Sequence, residues 1–133
     1  MKKKIKIAPS ILASNFSILG KEIVDISKAG ADYIHFDIMD GNFVNNLTFG
    51  PFIINHIREV SDSHFETHLM ISNPHRYLMD YIKSGSDTLI IHYEASTDIK
   101  RDLNFIRDNG VLSGIAINPN TDYKLILNLS FEF

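Results

Sequence analysis

Tyr33-Ile34-His35-Phe36-Asp37-Ile38-Met39-Asp40-Gly41 is the stretch from which the fold of this chain can be read. Ile34, Phe36 and Ile38 alternate with His35, Asp37 and Met39, and in a β-strand that alternation sends the two sets to opposite faces. One face is apolar and suited to a core. The other carries an imidazole and a carboxylate two positions apart, side by side and close enough to hold one divalent metal ion together. A strand of this kind supplies half a site, and the rest must come from other strands with the same layout.

Outward from it, the chain reads as strand and helix in alternation. Ile5 to Leu12 predicts a first strand, with Pro9 and Ser10 near its C-terminal end, where a missing donor is tolerated. Asn15 or Ser17 can cap a helix to about Ala29, in which Ile18, Leu19, Ile23 and Ile26 recur at helical spacing and which Gly30 closes. After the strand Tyr33 to Met39, the loop Asp40 to Gly50 is long enough to be functional, with Gly41 supplying backbone freedom. Pro51 opens a helix striped by Ile53, Ile54 and Ile57 to about Val60. Phe65 to Met70 is a third strand, followed by Asn73-Pro74 as cap and first turn of a helix to about Ser84, stopped by Gly85. Thr88 to Glu94 is a fourth strand. Thr97 or Asp98 to Asn109 is a fourth helix, with Gly110 behind it, and Leu112 to Ile117 is a fifth strand ended by Asn118-Pro119. Thr121 is placed to cap a fifth helix containing Leu125, Ile126 and Leu129.

Strand starts recur roughly every 25 to 30 residues, the size of a βα unit, which implies an α/β fold with a parallel sheet. The repeated helix ends Ala29-Gly30-Ala31-Asp32 and Ser84-Gly85-Ser86-Asp87 read as left-handed glycine caps. Two architectures begin this way, an open doubly wound sheet and a closed (β/α)8 barrel. Ser10-Ile11-Leu12-Ala13-Ser14 lacks the glycines of a dinucleotide-binding turn. The polar positions go further: Ser10, His35 with Asp37, Glu66 with His68, His92 with Glu94, and Asn118 all fall at C-terminal strand ends. In a (β/α)8 (TIM) barrel those ends meet at the face that carries catalysis.

Composition narrows the classes. The 133 residues can bury a core and form one domain, with 44% hydrophobic and 22% charged residues, ordinary for a globular protein. There is no cysteine, so disulfides, thiolate metal sites and a cysteine nucleophile drop out. The formal charge is −3, and the one basic cluster, Lys2-Lys3-Lys4 with Lys6, is too short for a nucleic-acid surface. Lys6, Pro9 and Ser10 interrupt the only stretch resembling an export signal, and no run approaches the roughly 20 apolar residues of a membrane span. A cytoplasmic protein is expected.

His35, Asp37 and His68 make a two-histidine, one-carboxylate set suited to Zn²⁺, Fe²⁺ or a similar ion with open positions for substrate. Hydrogen-bond donation by neutral imidazoles to a bound sugar is the competing account. Met39 and Met70 extend the same faces, either as core filler or as an uncharged lining of the site. His92 can orient a substrate or complete a polar layer. His56, His64 and His75 lie on helices or connections and are expected to face solvent.

Several segments together resemble the ribulose-phosphate 3-epimerase family. They are Ala8-Pro9-Ser10-Ile11-Leu12, His35 to Gly41 with Phe43, Asn46 to Pro51, His68-Leu69-Met70 with Asn73-Pro74, His92-Tyr93-Glu94-Ala95 and Gly114 to Pro119. The resemblance runs from Ile5 to about Thr121. It implies a (β/α)8 barrel that interconverts D-ribulose 5-phosphate and D-xylulose 5-phosphate with one divalent ion (Zn, Fe, Mn or Co). It further implies that His35, Asp37 and His68 are ligands, that Asp37 is also the proton acceptor, and that Ser10 and His68 contact substrate. In that chemistry the ion polarises the carbonyl beside carbon 3 and stabilises the enediolate. A second acid on the opposite face returns the proton.

The family's second catalytic aspartate and its phosphate-binding loops lie on later strands that have no counterpart in these residues. About five of eight βα units are expected in 1–133, as an incomplete barrel, and the apolar ending Leu125 to Phe133 looks cut off. Uncovered strand edges predict low stability or aggregation unless another chain pairs with them, a homo-oligomer included. Little epimerase activity is expected from the chain alone. An allulose-6-phosphate 3-epimerase or an inactive truncated product are the alternatives.

Overall fold

The computed structural model describes residues 5–127 and Leu129. The Lys2 to Lys4 tail and most of the apolar ending lie outside the described residues. Four parallel strands, β1 (Ile34–Met39), β2 (Phe65–Met70), β3 (Thr88–His92) and β4 (Leu112–Ala116), form one sheet in the order β1-β2-β3-β4. Spatial order follows chain order with no reversal, as in consecutive units of a (β/α) barrel and unlike a doubly wound sheet, whose order reverses at a switch point.

The segment before β1 continues this order but is not the full strand expected from Ile5 to Leu12. Ile7 O accepts from the N–H groups of Asp32 and Tyr33, Pro9 O accepts from His35 N, and Ser10 forms a single parallel bridge with His35. Pro9 has no N–H to donate to a ladder. Beyond it the Ser10 hydroxyl accepts from Leu12 N and turns the chain into a 3-10 turn, Ile11–Ala13. The fourth expected strand is likewise shorter: β3 stops at His92 and a 3-10 turn, Tyr93–Ala95, carries Glu94.

Helices α1 (Leu19–Lys28), α2 (Pro51–Arg58), α3 (Leu78–Lys83) and α4 (Ile99–Asp108) cover one face of the sheet. Ile34, Phe36 and Ile38, then Phe65 and Leu69, then Leu89 and Ile91, point into that layer and meet Ile23, Ile54, Leu78 and Ile106. Each such side chain, fully withdrawn from water, contributes about 1.5–3 kcal/mol of transfer free energy. Thr67 is the polar member of this face, and its hydroxyl is paired with that of Ser86 at 2.8 Å. Among the described residues no helix packs on the opposite face, and most of its side chains are only half-buried, with Leu112 exposed and His92 buried.

Three helices end in the same way. Gly30, Gly85 and Gly110 have φ of 99°, 100° and 79°. In each case the glycine N–H and the one after it bond back to the last turn, as in Ala31 N to Ile26 O, Ser86 N to Tyr81 O and Val111 N to Ile106 O. These are Schellman caps, and they return the chain to the start of the next strand. Asn73 does not cap through its side chain. Barred from the α region by Pro74, it takes a left-handed conformation that asparagine tolerates, and only a 3-10 turn, Pro74–Arg76, precedes α3. The short α5 (Lys124–Leu127) is preceded by Asp122, whose carboxylate accepts from Lys124 N, in place of the cap expected from Thr121. Among the described residues no helix is long and apolar enough to cross a membrane.

Candidate metal centre

Register does for this site what spacing alone cannot. His35 lies opposite Glu66, Asp37 opposite His68 and Met39 opposite Met70, so the polar sets of β1 and β2 share the open face. His92 reaches the same face from the end of β3. The four charged or imidazole side chains of β1 and β2 are 17–22% exposed, sheltered but reachable.

Asp37 is the hub. Its Oδ1 stands 3.2 Å from His35 Nε2 and 3.4 Å from His68 Nδ1, while its Oδ2 accepts from the Ser10 hydroxyl at 2.5 Å. Hydrogen bonding from His35, then from His68 and Ser10, outweighs desolvation and holds its carboxyl far below the usual carboxylate range. His35 is raised in turn, first by Asp37 and then by Glu66, against the effect of burial. His92 moves the other way, pushed down by burial and by the neighbouring His68.

The donor set fits a divalent ion. One ligand atom from each of His35, Asp37 and His68 lies within 4.8 Å of the others. The 3.2 and 3.4 Å separations match the roughly 3.4 Å between neighbouring donors set tetrahedrally about an ion at ~2.1 Å. Both imidazoles are also held from behind: His35 Nδ1 meets Glu66 Oε1 at 2.7 Å, and His68 Nε2 meets His92 Nε2 at 2.9 Å. Outer partners of this kind orient ligating histidines and fix their tautomers. Imidazole and carboxylate donors favour borderline and hard transition ions.

The loop after β1 forms the rim. Asp40 accepts from the N–H groups of Asn42, Phe43 and Ser72, which bring its carboxyl below its ordinary value although burial opposes them. The Thr48 hydroxyl donates to Asp37 O and accepts from Met39 N, bracing the strand at the hub. Phe43 lays its ring against His92, with centroids 4.9 Å apart. Glu94 accepts from Asn118 N at 2.7 Å and from the Thr121 hydroxyl, tying this rim to the turn after β4.

Ser10, His35, Asp37, His68 and His92 are thus brought together, with Met39 and Met70 one pleat further along the same face. Sequence reading named the histidine–aspartate set but gave no part to Asp40, Thr48 or Phe43. Glu66 was visible as a polar-face residue, and only the His35↔Glu66 register shows what it holds. Of the three histidines expected in solvent, His56 is exposed. His64 bonds the Thr88 hydroxyl, and His75 pairs with the fully buried Asp102 at 2.8 Å, because the turn carrying His75 folds over the start of α4.

A profile of the Ribulose-phosphate 3 epimerase family matches residues 6–132. The chain is 46% identical over 122 residues to the ribulose-phosphate 3-epimerase of Bacillus subtilis (strain 168), a match covering 92% of this chain and 56% of the relative. It is 44% identical over 128 residues to the enzyme of the same name from Chlamydia pneumoniae, covering 95% and 56%. The chloroplastic ribulose-5-phosphate-3-epimerase of Arabidopsis thaliana is 39% identical over 127 residues, covering 94% and 45%. The chain therefore spans about half the length of the curated relatives it matches. Among solved structures, the N-acetylmannosamine-6-phosphate 2-epimerase of Clostridium perfringens superposes with a TM-score of 0.64 at 14% identity, over 94% of this chain and 57% of that one. At that identity the likeness speaks for the fold alone.

Proposed function

The chain belongs to the ribulose-phosphate 3-epimerase family, and from that premise we propose that residues 1–133 form a partial barrel carrying the metal-binding half of a site for epimerising D-ribulose 5-phosphate to D-xylulose 5-phosphate at carbon 3. The observation that carries this reading is the convergence of His35, Asp37 and His68 on one point of the sheet's open face. These three residues would hold the ion. A divalent ion bound there supplies Lewis-acid polarisation of the sugar carbonyl, which acidifies the neighbouring C–H.

The two oxygens of Asp37 divide the work. Oδ1 lies 3.2 and 3.4 Å from the two imidazoles and is the ligand, whereas Oδ2, held by Ser10, takes the carbon-3 proton. Ser10 orients that oxygen and, with His68, contacts the sugar. Met39 and Met70 line the site without competing charge. Inversion needs a second acid on the far side of the substrate. Among the described residues Glu66 is committed to His35, and Glu94 to Asn118 and Thr121, so neither is free for that role.

The proposal for these 133 residues is therefore one-sided proton exchange with little inversion. Ribulose 5-phosphate incubated with the metal-loaded chain in D₂O should lose its carbon-3 proton signal while little xylulose 5-phosphate appears. Asp37→Asn should slow that loss by roughly 10²–10⁴-fold, the usual range for a positioned base. Exchange that ignores the added metal, or that survives Asp37→Asn unchanged, overturns the reading.

A further inference from the structure

His92 is more than nine-tenths buried, yet it belongs neither to the core nor to the ligand set. Its ring plane lies 18° from that of His68 with centroids 5.0 Å apart, and the two Nε2 atoms are 2.9 Å apart. At that centroid spacing the nitrogens come so close only if the rings meet edge to edge, which is the geometry of an N–H···N hydrogen bond. The Phe43 ring packs against His92 at a tilt of 57°, with centroids 4.9 Å apart. Among the described residues its Nδ1 has no hydrogen-bond partner, and Glu94 Oε2 stands 3.4 Å away.

An N–H···N bond between imidazoles contains one proton, so the two tautomers are linked. His68 turns Nδ1 toward Asp37, and a neutral imidazole that gives Nδ1 to an ion carries its proton on Nε2. Nε2–H then donates to His92 Nε2, and His92 must carry its own proton on Nδ1, pointing at Glu94.

We propose that His92 is a positioning residue for the metal centre: by accepting from His68 Nε2–H it fixes the tautomer and ring orientation that leave His68 Nδ1 free to bind the ion, with Phe43 packed against the His92 ring. The same arrangement exists at the other ligand, where Glu66 holds His35, so each imidazole has its own acceptor. This inference rests on His68 being a ligand, as proposed above.

The test uses Zn²⁺ and the 133-residue chain, with affinity read by competition against a chromophoric chelator. His92→Phe keeps the ring and removes the acceptor, and Zn²⁺ affinity should fall roughly 10- to 100-fold, the usual cost of losing an outer partner. His92→Gln, whose side-chain carbonyl can accept from His68, should recover most of that loss. In the parent chain, ¹⁵N shifts of the Zn²⁺-loaded protein should show His68 protonated at Nε2 and His92 at Nδ1. That measurement needs no variant to fold. Unchanged affinity in His92→Phe beside a His68→Ala variant that has lost the ion overturns this inference alone, as does the opposite tautomer pair. A His68→Ala variant that binds Zn²⁺ like the parent overturns the metal reading and this inference together.

Discussion

Asp40 is where the rim loop is joined to the sheet, and replacing it should loosen both. Oδ1 accepts from Asn42 N at 2.9 Å and Phe43 N at 2.8 Å, and Oδ2 accepts from Ser72 N at 2.8 Å. Hydrogen bonds to a charged acceptor are each worth about 1.5–3 kcal/mol. Asp40 is only half-buried, so water can take over part of each bond, and about 1 kcal/mol apiece is the better figure. Asp40→Ala should therefore cost about 3 kcal/mol. Asp40→Asn keeps a carbonyl for Asn42 and Phe43 but sets an amide N–H against that of Ser72, and should cost about 1–2 kcal/mol. Urea unfolding at pH 7 reads these losses as a lower midpoint with an unchanged slope. The pH dependence has a fixed sign. Because the folded pKa is lowered, Asp40's contribution is fully present above the unfolded pKa of about 3.9 and is lost as pH falls through the folded value. The gap between parent and Asp40→Asn should stay constant from neutral pH to about 5 and close below about 4. A variant as stable as the parent at pH 7, or a gap that widens in acid, would refute the reasoning.

Two further substitutions test the frame under the site. Alanine at Gly30 or Gly85 costs about 1 kcal/mol for the left-handed backbone, but an added Cβ at Gly85 comes 3.1 Å from Arg58 while at Gly30 no atom of the described residues lies within 4 Å. Gly85→Ala should thus lower thermal stability by about 1 kcal/mol more than Gly30→Ala, and equal melts would show that Arg58 yields freely. Asp102 is fully buried and accepts from the Ser96 hydroxyl and the Arg101 guanidinium while pairing with His75. Asp102→Ala should cost about 3–5 kcal/mol in urea titration, and a loss under 1 kcal/mol would contradict that.

What could be read in advance follows from which interactions are local. The alternation of residues 34–39 and 65–70 is a period-two signal, and the structure places strands at those limits. The glycine caps were equally legible, since a left-handed residue before each strand leaves few other choices. The first strand was overread because its apolar pattern takes no account of where the donors are. Pro9 has none to give and Ser10 spends its hydroxyl on the turn, so residues 7–10 support the edge of β1 without a ladder of their own. His75 keeps a side chain 39% exposed, but its pairing with Asp102 is not legible, because that partner lies 27 positions away and nothing in the sequence around either residue announces the other.

The site divides along the same line. Alternation alone puts His35 and Asp37 on one face, and a second strand of the same design supplies His68. What alternation cannot supply is register, and register decides the chemistry. A slip of one residue between β1 and β2 would turn His68 into the core and face Asp37 with Thr67 or Leu69. The register is set by Phe36 packing on Phe65, rings 4.8 Å apart, and by Asp87 and Arg58, which fix the start of β2 through Phe65 N, Ser63 O and Gly85 O. The apolar face of the sheet and an ion pair at its far end therefore hold Asp37 Oδ1 within reach of both imidazoles. Changes at Arg58, at the far end of the strand from Asp37, should reach the site through that register.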